Sequence, residues 1–366
     1  MDDLERLMRA QDAGLFALPH GSTPEGPAPE ELWPKGPAPE EPTPEGPTLL
    51  VNARPGAALA TLALPRLVCV QPRRDAYNML LRSGLTCHPT LRAAAPGSVS
   101  AGLMLATRNR AQTLGLLAAL TRLTRPGGTV VLSGAKTDGI DALASRLRNL
   151  VALERFAKGH GKVLAFQRPT DLPAAFAEWE AAAAPAPNRD GLRSAPGMFS
   201  HAHADPGSRF LAGLVAGGLS GYVAELGAGY GWLARQILRE NADVARLVLY
   251  EADYESCEMA RQNLADPRAE AVWADVTALS EAEGGFDQIV TNPPFHDGRA
   301  PDPALGQAFI AAAARLLTPK GRLILVANRH LPYEKTMAAQ FQALQTLQDA
   351  AGYKILEASR PRRNRR

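Results

Sequence analysis

Thr291-Asn292-Pro293-Pro294-Phe295-His296-Asp297-Gly298 is the stretch whose reading decides the fold. It follows Phe286-Asp287-Gln288-Ile289-Val290, an apolar run that reads as a buried strand. Proline cannot donate to a strand ladder, so two in succession end the strand. They also fix φ and stiffen the chain just past the strand's carboxyl end. In open α/β sheets that edge is where ligands sit. A stiff turn with one amide side chain, free carbonyls and one aromatic ring suits a flat substrate bearing an NH2 group. The Asn292 side-chain oxygen and the Pro293 carbonyl can each accept one N–H of that group. Phe295 can stack on the ring, and the nitrogen lone pair then faces an electrophile.

A site for the electrophile's carrier lies upstream. Tyr222-Val223-Ala224-Glu225-Leu226 reads as a strand, Gly227-Ala228-Gly229-Tyr230-Gly231 as a close-approach loop, and Trp232 to Leu238 as a helix. The spacing is G-x-G-x-G and differs from the dinucleotide pattern G-x-G-x-x-G. A second strand, Arg246 to Tyr250, ends in Glu251, about 20 residues past the glycines, where α/β nucleotide folds place a carboxylate on ribose hydroxyls. Ala274-Asp275-Val276 follows a third apolar segment, at the place for reading an adenine amino group.

The ordered set Glu225, Gly227, Gly229, Glu251, Asp275, Val276 and Asn292-Pro293-Pro294-Phe295 resembles S-adenosylmethionine-dependent methyltransferases of class I. With Gly197-Met198-Phe199-Ser200, Val326-Ala327-Asn328 and Leu331-Pro332-Tyr333 in order, it resembles the ribosomal RNA small subunit methyltransferase C family. The resemblance covers residues 197–359 well and the N-terminal half loosely. It implies two tandem Rossmann-like methyltransferase domains, each a mostly parallel sheet flanked by helices, with the N-terminal copy degenerate. It implies methylation of guanine N2 in 16S ribosomal RNA, with S-adenosylmethionine as cofactor and ribosomal RNA or the small ribosomal subunit as partner. It also sets Phe199 over the cofactor. Two positions depart from the family pattern: Glu225 stands where Asp is commoner, and Ala228 replaces a common Cys. Neither removes the carboxylate or the glycines. The motif alone leaves other acceptors open: a guanine of 23S RNA, adenine N6, cytosine N4 or a glutamine N5. A noncatalytic RNA-binding scaffold is the contrasting class, and the intact glycine loop argues against it.

Length and composition bound these readings. The chain has 366 residues, enough for two cores, with 46% apolar residues and a net charge of +3. So mild a charge does not by itself argue for nucleic acid, though Arg360, Arg362, Arg363, Arg365 and Arg366 crowd the C-terminus. No apolar run approaches a membrane span, and the N-terminus lacks a secretory pattern. Cys69, Cys87 and Cys257 are scattered without metal spacing, which fits a reducing cytoplasm. A monomer that needs neither membrane nor metal is expected. His201-x-His203-x-Asp205 invites a metal reading but lacks a third convincing ligand, and the chemistry needs none. His296 reads as a rim residue, and Arg329 and His330 as candidate phosphate contacts.

The domains read as 1–185, a linker at 186–196, and a catalytic domain at 197–366 with a basic tail. Residues 1–20 read as a short helix and then a strand at Gly14–Leu18. Residues 21–47 repeat a Pro/Gly/Glu pattern around Trp33 that cannot pack a core. Strands are expected at 49–51, 67–70, 102–106, 129–132 and 163–166. A helix at Arg110–Leu123 followed by Arg125-Pro126-Gly127-Gly128 and a strand recurs as Ala308–Leu317, Thr318-Pro319-Lys320-Gly321 and Arg322–Val326. The recurrence argues for duplication. The N-terminal copy has no glycine loop, and Thr107-Arg108-Asn109-Arg110 stands where the Asn-Pro-Pro-Phe turn would be, so a structural or RNA-positioning role is expected of it.

Overall fold

The structure is a computed structural model that describes residues 1–18, 46–56, 59, 66–92, 94–294, 296–297, 300–301 and 303–363. The chain divides into two compact units. One comprises Met1–Pro185 with Ala195–Gly197, the other Ala186–Ser194 with Met198–Arg366.

In the first unit, helix α1 (Asp3–Asp12) precedes strands β1 (Thr48–Val51) and β2 (Leu67–Val70), helix α2 (Arg74–Arg82), and strands β3 (Thr86–His88) and β4 (Val99–Leu105). Then come α3 (Arg110–Leu123), β5 (Thr124–Ala135), α4 (Ile140–Leu147), β6 (Glu154–Lys158), β7 (Gly161–Gln167) and α5 (Ala174–Ala183). The sheet order is β3-β2-β1-β4-β5-β7-β6. Strands β1, β2 and β4 are buried along their whole length, as parallel strands covered on both faces must be. Two apolar clusters, one around Leu117 and Leu132, the other around Leu7 and Leu103, account for the two covered faces.

The second unit repeats the plan. After the short pair β8 (Ala186–Pro187) and β9 (Arg193–Ser194) come α6 (Pro206–Val215), β10 (Gly221–Leu226), α7 (Trp232–Glu240), β11 (Val244–Glu251), α8 (Tyr254–Asn263), β12 (Ala269–Trp273) and β13 (Phe286–Thr291). A two-residue pair, β14 (His296–Asp297) and β15 (Ala300–Pro301), leads to α9 (Pro303–Leu316), β16 (Leu317–Asn328), α10 (Tyr333–Gln340), β17 (Phe341–Ala350) and β18 (Tyr353–Pro361). The sheet order β12-β11-β10-β13-β16-β18-β17 matches that of the first unit position by position. The first five strands are parallel, and β16, β18 and β17 pair antiparallel. The order reverses between β10 and β13, so a crevice opens outside their carboxyl ends, where such sheets bind ligands.

Several local expectations change. Gly14–Leu18 forms a turn and irregular chain, and Phe16 and Leu18 reach the core without strand pairing. The two Pro-Gly turns lie inside long strands. On β5 the register steps from Thr124 opposite Val99 to Thr129 opposite Ala101, and on β16 from Leu317 opposite Phe286 to Arg322 opposite Gln288. The extra residues bulge out, with Gly127 at φ 72°. The segment read as a linker carries the β8–β9 pair. The short β3 and the exposed edge strand β6 gave no apolar run to read. Arg362 donates to the Phe341 carbonyl at 2.9 Å, and Arg363 to the Arg315 carbonyl at 3.2 Å, so neither belongs to a free tail. Most of the 21–47 insert, Trp33 included, and Arg365 and Arg366 lie outside the described residues.

Candidate active site

Strands β10 and β13 lie side by side, with Leu226 opposite Thr291 at their carboxyl ends. The Thr291 hydroxyl donates to the Leu226 carbonyl at 2.8 Å, pinning the two ends together. The glycine loop and Asn292 therefore leave the sheet from adjacent positions. They meet in one cleft. Phe199, Glu225, Gly227, Gly229 and Asn292 all line it, together with Asp205, Ser208 and Trp232.

The loop is held from the next strand. The Gly227 and Ala228 N–H groups donate to the Tyr250 carbonyl at 2.8 and 3.1 Å. Glu251, ending β11, accepts the Gly229 N–H at 2.8 Å on one oxygen and the Asp253 N–H at 2.8 Å on the other. Gly229 has φ 57°, and a Cβ there would meet nothing within 4 Å, so the backbone faces open space. Gly231 serves packing instead. At φ 86° it starts α7, and a Cβ on it would lie 3.3 Å from the Ala260 Cα.

Glu225 is 3% exposed, and its Oε2 has no hydrogen-bond partner. Burial pushes its carboxyl well above the usual range and the Glu251 charge adds to this, while the Ala234 N–H in the first turn of α7 pulls the other way. Phe199 is 60% exposed at the cleft. The chain bends sharply after it, with Ser200 at φ 48°, and the Tyr230 hydroxyl donates to the Ser200 carbonyl at 3.0 Å.

Asn292 is fixed by a helix that the sequence reading did not connect to it. Asp205 caps α6, accepting the Ser208 N–H at 2.9 Å on Oδ2. The same oxygen accepts from Asn292 Nδ2 at 2.9 Å, and Ser208 Oγ accepts from that nitrogen at 2.9 Å. Asp205-Pro206 followed by Ser208 is a legible helix start. Its partnership with a residue 87 positions away is not legible.

The other candidates fall differently. Pro293 is buried and Pro294 half-buried behind Asn292. Asp275 and Val276 follow β12 along the same carboxyl edge, outside the cleft lining. Asp275 Oδ1 is engaged by the Thr277 N–H at 2.9 Å and hydroxyl at 2.7 Å. Phe295 and the side chain of His296 lie outside the described residues. Arg329 pairs with Asp349 at 2.6 Å. Among the described residues no three His, Cys, Asp or Glu side chains form a group suited to a metal, and no helix is long and apolar enough to cross a membrane.

The doubly wound sheet, with a glycine loop after its first strand and an Asn-Pro-Pro turn after its fourth, defines a class I methyltransferase. The methyltransferase small domain family matches residues 191–357. The ribosomal RNA small subunit methyltransferase C of Shewanella sp. (strain MR-4) is 36% identical over 166 residues, covering 43% of this chain and 46% of that protein. The same-named protein of Salmonella choleraesuis (strain SC-B67) is 34% identical over 170 residues, covering 46% and 49%. The aligned part thus spans about half the length of these relatives. Among solved structures, the T. thermophilus 16S rRNA N2 G1207 methyltransferase in complex with AdoMet and guanosine superposes with a TM-score of 0.73. It is 29% identical and covers 92% of this chain and 93% of its own. Over residues 191–357 the chain carries a methyltransferase small domain, and it resembles the ribosomal RNA small subunit methyltransferase C family.

Proposed function

We propose that this chain transfers the methyl group of S-adenosylmethionine to the exocyclic N2 amine of a guanine in 16S ribosomal RNA. The observation that carries the reading is the amide of Asn292. Its NH2 is spent on Asp205 and Ser208, which leaves its oxygen to accept an N–H from a substrate amine.

The residues present fit the cofactor. The unpartnered, buried Glu225 Oε2 suits a cationic amino group, and the open space over Gly229 admits a ligand against the backbone. Glu251 holds the ribose hydroxyls, Asp275 and Val276 hold the adenine, and Phe199 covers the cofactor. When bound, S-adenosylmethionine supplies an activated methyl group on a sulfonium, so no metal is needed.

The chain's own work is orientation. Asn292 Oδ1 and the Pro293 carbonyl each accept a hydrogen bond from one amine N–H and aim the lone pair, while Phe295 stacks on the base. The same two oxygens disperse the positive charge that grows on nitrogen. Alignment of this kind supplies most of the acceleration, and the target base must leave its stack to reach the cleft. The proton lost from the methylated nitrogen passes to solvent.

The N-terminal unit positions the RNA. Exposed Arg54, Arg73, Arg92, Arg108, Arg110 and Lys136 follow β1, β2, β3, β4 and β5 within a few residues. Neighbouring strands lie about 4.8 Å apart, so the cations form a row along one sheet edge, a spacing suited to phosphates. The enzyme acts as a monomer in the cytoplasm, consistent with three free, buried cysteines.

The test is methylation of unmodified 16S RNA and of small subunits by the purified chain, with nucleoside mass spectrometry. N2-methylguanosine is expected. Asn292→Ala should slow single-turnover methylation ~10²–10³-fold and leave cofactor affinity nearly intact. Methylguanosine in 23S RNA only, or methyladenosine, methylcytidine or methylglutamine as sole product, would replace the acceptor. No transfer with saturable RNA binding would favour the scaffold.

A further inference from the structure

The Asn292 amide can face the cleft in two ways, and they have opposite chemistry. With Oδ1 outward it receives an amine, and with Nδ2 outward it receives a carbonyl or hydroxyl. Asn292 itself does not choose. Ser208 Oγ does not choose either, because a hydroxyl both donates and accepts. The Asp205 carboxylate accepts only, so it pairs with the NH2 and would repel the amide oxygen. Accepting on Oδ2 from both the Ser208 N–H and Asn292 Nδ2, at 2.9 Å each, Asp205 is locked by the first turn of α6. Pro206 starts that helix, and Leu211 and Val215 anchor it in the core.

We propose that Asp205, supported by Ser208, is the positioning residue that sets the Asn292 amide oxygen-outward and thereby selects an amine as the methyl acceptor. The inference rests on Asn292 receiving the substrate amine, as proposed above. It assigns to the helix start a specificity role beyond capping. A carboxylate at the cap, and not any good cap, is what the role demands.

Asp205→Ser separates the two duties. Serine still caps a helix, but it is neutral, shorter and indifferent to which end of an amide it meets. Single-turnover methylation under saturating cofactor should fall ~10–100-fold, the usual consequence of a misplaced reacting group, with the cofactor dissociation constant within about threefold of wild type. In the Asn292→Ala background the same change should cost less than about threefold, because the group it orients is gone. A purely structural role would give additive losses, which would overturn the proposal. So would a cofactor affinity that falls as far as the rate, since Asp205 would then be a cofactor ligand. Hydrogen exchange of the Asn292 side-chain NH2, followed by NMR without RNA or cofactor, should be faster in Asp205→Ser than in wild type. Equal exchange would refute the inference even if the wild type methylates guanine. Faster exchange in a chain that methylates no RNA would refute the functional reading alone.

Discussion

Gly229→Ala and Gly231→Ala should fail in different ways. Gly229 has φ 57° and open space where a Cβ would sit, and it lines the cleft. An L-residue held in the left-handed region costs roughly 1–2 kcal/mol. For a unit of this size that lowers Tm by roughly 2–8 °C. The added methyl, however, stands where a ligand approaches the backbone. Overpacking of a close contact costs about 1–3 kcal/mol, a loss of roughly five- to 150-fold in S-adenosylmethionine affinity. Gly231 is the converse. Its Cβ would lie 3.3 Å from the Ala260 Cα and 3.2 Å from Leu264 Cδ1, at φ 86°. Strain and overpacking then add to about 2–5 kcal/mol of stability, while the folded fraction keeps its ligand contacts. Thermal denaturation and calorimetric titration on the full chain measure both. Wild-type cofactor affinity in Gly229→Ala would refute the cradle, and a Gly231→Ala no less stable than Gly229→Ala would refute the packing argument.

Three further outcomes are expected. Glu251→Ala should weaken S-adenosylmethionine binding by about 1.5–3 kcal/mol, since charge-assisted contacts are lost, and an unchanged dissociation constant would make Glu251 a scaffold for the loop only. Burial, with the Glu251 charge adding to it, raises the Glu225 carboxyl, so its contribution to stability is full below the unfolded value of 4.5 and is lost as pH rises through the folded one. Thermal stability of wild type relative to Glu225→Gln should therefore decline with rising pH, and calorimetry in two buffers should show a proton released on cofactor binding only in wild type; parallel pH profiles would refute this. Replacing Arg54, Arg108 and Arg110 with Gln should reduce the slope of log RNA affinity against log salt by about two, at about 0.7 per phosphate contact, and an unaltered slope would remove the N-terminal edge from the RNA path.

What was legible follows from where the information sits. The buried parallel strands are continuous apolar runs, so their positions were readable from composition alone. The repeated helix-turn-strand unit showed the duplication before any coordinates did. Edge strands such as β6 (exposed at four of its five residues, with charges among them) carry no such signature. In the cleft, Gly227, Gly229 and Asn292 were readable because each follows a recognisable strand, and Glu251, ending the next strand, holds the loop from beside it. Asp205 was not: it looks like an ordinary helix cap, and its second duty exists only once α6 and the end of β13 are brought together.

The two units share one sheet topology, and their described residues spend hydrogen bonds differently along the carboxyl edge. At the end of β1, Asn52 donates its side chain to the Leu105 carbonyl at 2.9 Å, and Gln71 after β2 donates to the Ala53 carbonyl at 2.7 Å. Asn109, the amide nearest the place of Asn292, caps α3 by accepting the Gln112 N–H at 3.1 Å. Side chains there satisfy nearby backbone groups. In the second unit a glycine loop occupies the first position, leaving open space, and Asn292 is held from another helix by its nitrogen alone. Unspent hydrogen-bonding capacity facing a cleft is therefore what separates the units. A chain that kept the fold but restored local partners to Glu225 Oε2 and Asn292 Oδ1 would bind neither cofactor nor amine.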